Sequence, residues 1–160
     1  MTHEKKPCVG WREWIYFPDL GGFFVKAKTD TGARTSALHA YFIEPFDRDG
    51  TLWVRFGLHP VQGSTAIELV CEAPVFDRRQ VTDSGGHKEE RYVIQTRIQI
   101  NNRELISQLT LTNRDTMRFR MLLGRNTLNH HFTVDPALSF LAGGNSQNPP
   151  VLTSEDSIAS

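Results

Sequence analysis

The sequence predicts a small all-β domain, a mostly antiparallel barrel or sandwich of about seven strands. The grounds are apolar residues alternating at period two, alternating segments joined by short polar turns, and scarce helical periodicity. In YVIQTRIQI (92–100), Ile94, Thr96, Ile98 and Ile100 share one face while Gln95, Arg97 and Gln99 share the other. Asn101-Asn102 supplies a turn, and ELISQLTLT (104–112) returns with Leu105, Leu109 and Leu111 on one side, so the two segments read as a β-hairpin. TLWVRFGL (51–58) alternates through Leu52, Val54 and Phe56, and FFVKAKT (23–29) is a further strand opened by Gly21-Gly22. The helical signal is confined to RNTLNHHF (125–132), a turn or two after Gly124 with Asn126 as the candidate cap.

The 160 residues suffice for one domain with a real core and are too few for two. Residues 1–9 read as an N-terminal extension and 10–142 as the domain. The polar, Pro/Gly/Ser-rich stretch 143–160 reads as a tail without fixed structure. Lys+Arg and Asp+Glu balance at 18 each, which argues against a general nucleic-acid binder. The charge is uneven, however: residues 76–125 hold ten Lys/Arg against six Asp/Glu, whereas 126–160 hold three acids and no Lys/Arg. A basic middle attracts acidic partners, or is a solvated face. Cys8 and Cys71 are too few for a disulfide framework and lack metal-ligand spacing, as expected of a reducing compartment. MTHEKKPCVGW never becomes an apolar signal core, and no run approaches the roughly 20 apolar residues of a membrane span, so a cytoplasmic location is expected.

VKAKTDTGART (25–35) drives a strand into Asp30. Asp-Thr-Gly is either an ordinary surface turn or half of an acid–base pair. Two carboxylates within hydrogen-bond reach cannot both ionise; the pair holds one proton, and one member serves as base while the other serves as acid. Thr31 offers a hydroxyl to anchor the loop, and Gly32 tolerates tight backbone close to a substrate. About ninety residues later, MLLGRNTL (121–128) runs three apolar residues into Gly124 and Arg125, as suits a buried strand passing tightly beneath another loop.

Together these segments resemble the two-part signature of retropepsin-like aspartic proteases, and more closely the RimB-type bacterial family labelled ATP-dependent zinc proteases. The resemblance covers about residues 10–142 and is carried by KAKTDTGARTSALHA (26–40), DRRQVTDSGGHKEERYVI (77–94), LTLTNRDTMRFRMLLGRNTL (109–128) and FTVDP (132–136). It implies a small closed barrel of acid-protease type, with a flap hairpin and one short C-terminal helix. Asp30 is then the catalytic aspartate, Thr31 and Gly32 shape its loop, and Leu123 and Gly124 support it from below. Residues 78–91 become a flap with its tip near Ser84, Gly85 and Gly86. A glycine-rich tip suits a flap that closes to exclude excess water, and it equally suits a plain hairpin turn.

The chain is too short for two catalytic lobes. Asp83-Ser84-Gly85-Gly86 fails as a second motif because its lead-in is charged and it falls on the flap. An isologous homodimer, in which Asp30 meets its own copy, is the remaining way to build a dyad. Retroviral members commonly carry an acid after Asp-Thr-Gly-Ala33, paired with the arginine of Gly-Arg-Asn. Here that position is Arg34, which sends Arg125 to another acid such as Asp135 or Asp115. The candidate substrate contacts are Ala33, the flap-tip residues Ser84, Gly85 and Gly86, and Arg34, Arg78, Arg79, Arg91 and Arg125; the arginines suit carboxylates, and each is alternatively solvated or structurally paired. Related proteins are linked with ATP-grasp ligases that add glutamates to a ribosomal protein, which implies trimming of glutamate-rich peptides.

No residues support the zinc or ATP label. His3, His39, His59, His87, His130 and His131 lack the His-Glu-x-x-His spacing, and no glycine-rich phosphate loop is present, so no metal or cofactor is expected. Cys8 and Cys71 have no evident histidine partner, and neither Ser36 nor Ser84 lies in a Gly-x-Ser-x-Gly elbow. The expected function is a homodimeric aspartic endopeptidase. The alternatives are a non-catalytic peptide-binding domain of the same fold and a metal-dependent peptidase.

Overall fold

The structure, a computed structural model, describes residues 5–82, 85–114 and 118–152. His3, Asp83, Ser84 and Asp115 lie outside the described residues. In chain order the elements are β1 (Cys8–Val9), β2 (Arg12–Phe17), β3 (Phe23–Thr29), β4 (Ser36–His39), β5 (Phe42–Arg48), β6 (Thr51–Leu58), β7 (Leu69–Pro74), β8 (Asp77–Thr82), β9 (Lys88–Ile100), β10 (Arg103–Thr112), β11 (Met121–Leu123), α1 (Arg125–Leu128) and β12 (Thr133–Val134). The all-β expectation holds, with helix confined to one turn among the described residues.

The main sheet runs β10-β4-β11-β3-β2-β9-β8, and β9 also pairs with β10. Six strands therefore close into a ring, while β8 hangs from it through β9. The closing β9–β10 hairpin aligns Arg103 with Ile100 through to Thr110 with Val93. Its two-residue turn places Asn101 and Asn102 at φ 51° and 64°, the left-handed geometry that asparagine tolerates and that matches strand twist. The alternation survives in three dimensions: Ile94, Ile98, Ile100, Leu109 and Leu111 are buried, and Gln95 and Arg97 are exposed. A separate antiparallel sheet, β5-β6-β7, lays Val54, Phe56, Cys71 and Ala73 on the same core. No helix of the described residues is long and apolar enough to cross a membrane.

β2 alternates inward with Glu13, Ile15 and Phe17, all fully buried. Its carboxylate is offset by three backbone amides: Gly10 at 2.7 Å, Leu141 at 2.9 Å and Ala142 at 3.0 Å. One buried acid thus ties the start of the barrel to the chain after β12. Glu13→Ala would strand those amides at about 1–3 kcal/mol each when buried. We expect a net loss of about 3 kcal/mol, read from the midpoint of urea denaturation.

The first part of the stretch expected to lack structure packs against the barrel instead. The Trp14 indole donates to the Asn145 carbonyl at 2.8 Å, and the Lys26 ammonium donates to the Ser146 carbonyl. Asn145 Oδ1 accepts the amides of Gln147 and Asn148, closing a local turn. Its polar composition hid this because the contacts run through backbone and turn chemistry, which leave no apolar pattern. Residues 153–160 lie outside the described residues.

Candidate active site

β11 slots between β3 and β4, parallel to the first and antiparallel to the second. This insertion lets the loop leaving β3 be held from below. The Asp30 amide donates to the Leu123 carbonyl at 2.8 Å, and the Ala33 amide donates to the Asp30 carbonyl at 3.1 Å. Arg125 and Asn126 donate their amides to Ala33 and Arg34 carbonyls at 2.9 and 3.0 Å. Gly124 makes that approach possible. A Cβ there would lie 2.6 Å from the Thr35 carbonyl carbon and 2.9 Å from the Ser36 nitrogen.

Beneath the loop runs a hydroxyl ladder absent from the sequence reading. Ser36 Oγ accepts the Gly124 amide at 2.9 Å and lies 2.6 Å from Thr127 Oγ1, which lies 2.7 Å from Ser107 Oγ. Asn126 is not the helix cap. Its Oδ1 accepts the Ser36 amide at 2.8 Å and its Nδ2 donates to the Gln108 carbonyl at 2.8 Å, so it cross-links β4 and β10. The cap position is Gly124, which has no side chain to offer.

Half-buried Asp30 presents its carboxylate at the floor of a cleft of about 730 Å³, with Oδ1 held by the Gly32 amide at 3.0 Å. Gly32, Ala33, Arg34, Thr35 and Ala37 form one wall; Arg79, Gln80, Val81, Thr82 and Arg91 of the β8–β9 hairpin form another. Among the described lining residues Asp30 is the one carboxylate, and it faces four arginines: Arg34, Arg79, Arg91 and Arg114. Such a cleft concentrates positive potential and recruits anionic ligands.

The remaining sequence-predicted residues fall elsewhere. Arg78 lies on the opposite face of the hairpin from Arg79, 5.3 Å above the Tyr92 ring and 3.8 Å from Glu90, because successive strand residues alternate faces. Gly85 and Gly86 sit at the exposed hairpin turn, away from the cleft lining, with Gly86 at φ 82°. Arg125 does not engage Asp135, and Asp115 lies outside the described residues. Its Nη1 donates to the Thr31 carbonyl at 3.0 Å, and Asp135 instead accepts the Ala137 amide. Among the described residues the loop is anchored through that Thr31 carbonyl, not through the Thr31 hydroxyl.

Arg114 is a cleft residue that sequence reasoning missed. It follows β10, and its amide donates to Nδ1 of buried His39 at 3.2 Å. The signal was an arginine just past an alternating strand, β10, which pairs with β4, the strand that follows the Asp30 loop. Burial pushes the Cys71 thiol up to about 11, so it stays protonated and unreactive at neutral pH. Among the described residues no three His, Cys, Asp or Glu side chains are grouped as a metal site requires.

Residues 8–145 match the family described as RimB-like, retropepsin-like aspartic endopeptidase RimB. Proteins of Shewanella pealeana and Shewanella halifaxensis, each named "probable alpha-L-glutamate ligase", are 49% identical over 140 residues, covering 88% of this chain and 31% of theirs. One of the same name from Desulfotalea psychrophila is 43% identical over 138 residues, 86% of this chain and 30% of its own. The chain thus spans about a third of the length of these curated relatives. The structure of Lpg0085, a Legionella pneumophila protein of unknown function, superposes with a TM-score of 0.72 at 24% identity, covering 86% of this chain and 99% of that one. That likeness speaks for the fold. The family match spans most of the sequence, and the chain belongs to the RimB-like family of retropepsin-like aspartic endopeptidases.

Proposed function

We propose that the chain is an aspartic endopeptidase whose catalytic dyad forms across a homodimer, one Asp30 from each copy. The observation that carries this reading is Asp30 as the single carboxylate among the described lining of a cleft walled on one side by the β8–β9 hairpin. A lone acid needs a second for acid–base hydrolysis, and a two-fold axis supplies an identical one. Exposed Thr31 and Gly32 leave the tip of the loop accessible to such a copy.

In the dyad the ionised Asp30 takes a proton from water as the water oxygen attacks the peptide carbonyl carbon. The protonated Asp30 gives its proton to the carbonyl oxygen, and proton transfer to the nitrogen then releases the amine. The four cleft arginines favour acidic, glutamate-rich peptides, and the relatives named as glutamate ligases point to the same chemistry.

A mixing experiment tests the shared dyad. Native chain equilibrated with an equal amount of Asp30→Asn chain should leave about a quarter of the dimers with both acids, by random pairing. Hydrolysis of a glutamate-rich peptide, normalised to native chain added, should therefore fall to about half. Undiminished activity per native chain would overturn the dimeric dyad. The alternative is a binding domain that holds peptides without cutting them, favoured by the single carboxylate among the described lining of each chain's cleft.

A further inference from the structure

Arg91 is only 9% exposed, yet its side chain lines the cleft. Among the described residues one of its donors is engaged: Nε, by Glu89 Oε2 at 3.2 Å. Among the described residues the end of the guanidinium fork, Nη1 and Nη2, has no protein acceptor. A mostly buried guanidinium with one protein contact at Nε gains when an anion completes its shell.

Arg91 lies directly opposite Arg79 in the β8–β9 register. Like charges at paired cross-strand positions oppose each other, so the pair gains from a bound anion. The two arginines are not equivalent. Arg79 is held at both ends, by Asp77 Oδ2 at 2.9 Å and Gln108 Oε1 at 2.7 Å. The bond to Arg79 also holds the Asp77 carboxyl below the usual carboxylate range. Arg91 keeps its fork open, in the same cleft as Asp30.

We infer that Arg91 is a specificity-determining residue: its free Nη1/Nη2 edge takes a side-chain carboxylate of the peptide substrate in bidentate geometry. This rests on the peptidase reading and assigns its acid preference to one position on the hairpin. Glu89, two residues earlier on the same strand face and 47% exposed at its side chain, is a built-in competitor that neutralises Arg91 when the cleft is empty. Arg79 positions the hairpin through Gln108 and contributes field more than contact.

The test is binding to full-length Asp30→Asn chain, which leaves the peptide uncut. The probes are a peptide with a run of glutamates and its glutamine counterpart, measured by calorimetry. The glutamate peptide should bind about 10- to 100-fold tighter, the scale of a charge-assisted bidentate contact. Adding Arg91→Gln should bring it to the level of the glutamine peptide, whereas Arg79→Gln should keep most of the difference. Arg91→Lys, which keeps the charge and loses the fork, should fall between, and Glu89→Gln should tighten the glutamate peptide by a few-fold. Thermal melts check that each variant is folded.

Discrimination that survives in folded Arg91→Gln overturns the inference. So does equal weakening of both peptides, or no preference before Arg91 is changed. Inorganic phosphate that binds at Arg91 while the two peptides bind alike would mark a general anion site and also overturn it. Failure of the native chain to hydrolyse anything would sink the peptidase reading without altering these affinities, so the two failures are distinguishable.

Discussion

Asp30→Asn should lower peptide hydrolysis by about 10⁴-fold, the upper range for a general acid–base group, while the protein stays folded. Asparagine has the shape of aspartate and keeps a side-chain oxygen for the Gly32 amide, now held at 3.0 Å. It cannot take a proton from water. Asp30 is half-buried and its Oδ1 has this one amide contact, so the stability change should stay within about 0.5 kcal/mol, as for substitutions that break no buried network. Peptide affinity should survive as well, because the cleft arginines are untouched.

Three outcomes sort three mechanisms. The aspartic reading predicts a dead, folded, peptide-binding variant, with native activity indifferent to chelator. A metal-dependent peptidase predicts loss with chelator and little response to Asp30→Asn. A binding domain predicts that even the native chain leaves peptides intact at every pH tried. One assay across pH, with native chain, Asp30→Asn chain and chelator-treated native chain, reads all three.

What the sequence disclosed, it disclosed through local pattern. β3 and β6 match the expected strands 23–29 and 51–58 residue for residue, and the β9–β10 turn was legible because two asparagines between alternating strands have few other uses. β2 escaped because one of its inward positions is Glu13, which reads as a surface residue until its amide partners are placed, one nearby at Gly10 and two 128 and 129 residues away. β8 was legible only through the family resemblance, as the first arm of the flap hairpin, because a hairpin projecting from a barrel has no buried face to impose period two.

The candidate site divides the same way. Asp30 and Gly124 announced themselves through short motifs. The sorting of the arginines did not, because it depends on register: Arg78 and Arg79 differ by one residue and face opposite ways, and Arg91 acquires meaning only as the partner of Arg79. The Ser36–Thr127–Ser107 ladder joins residues far apart in sequence, and an isolated serine or threonine carries no mark of such a partner. Charge logic offers Arg125 an acid such as Asp135, which it does not meet. Geometry gave it the Thr31 carbonyl, which a guanidinium accepts as readily once the loop is within reach.

Gly124→Ala should be the most damaging small substitution near the site. The added methyl would sit 2.6 Å from the Thr35 carbonyl carbon and 2.9 Å from both the Thr35 oxygen and the Ser36 nitrogen, and backbone cannot rotate away as a long side chain can. Relief requires moving the 30–35 loop or β11. Either movement stretches the Asp30–Leu123, Arg125–Ala33 and Asn126–Arg34 bonds together, along with the Gly124 bond to Ser36 Oγ. Overpacking of this kind costs about 3 kcal/mol at the upper end of its usual range. For a chain of this size that corresponds to a melting temperature lower by about 10 °C. Hydrolysis should suffer more than stability, because a 1 Å displacement of a reacting group costs about 10²-fold in rate. A melt and a peptide assay on the same preparation separate the two effects. If Gly124→Ala melts with the native chain and cleaves at the native rate, the close passage of β11 beneath the Asp30 loop is not what holds that carboxylate in place.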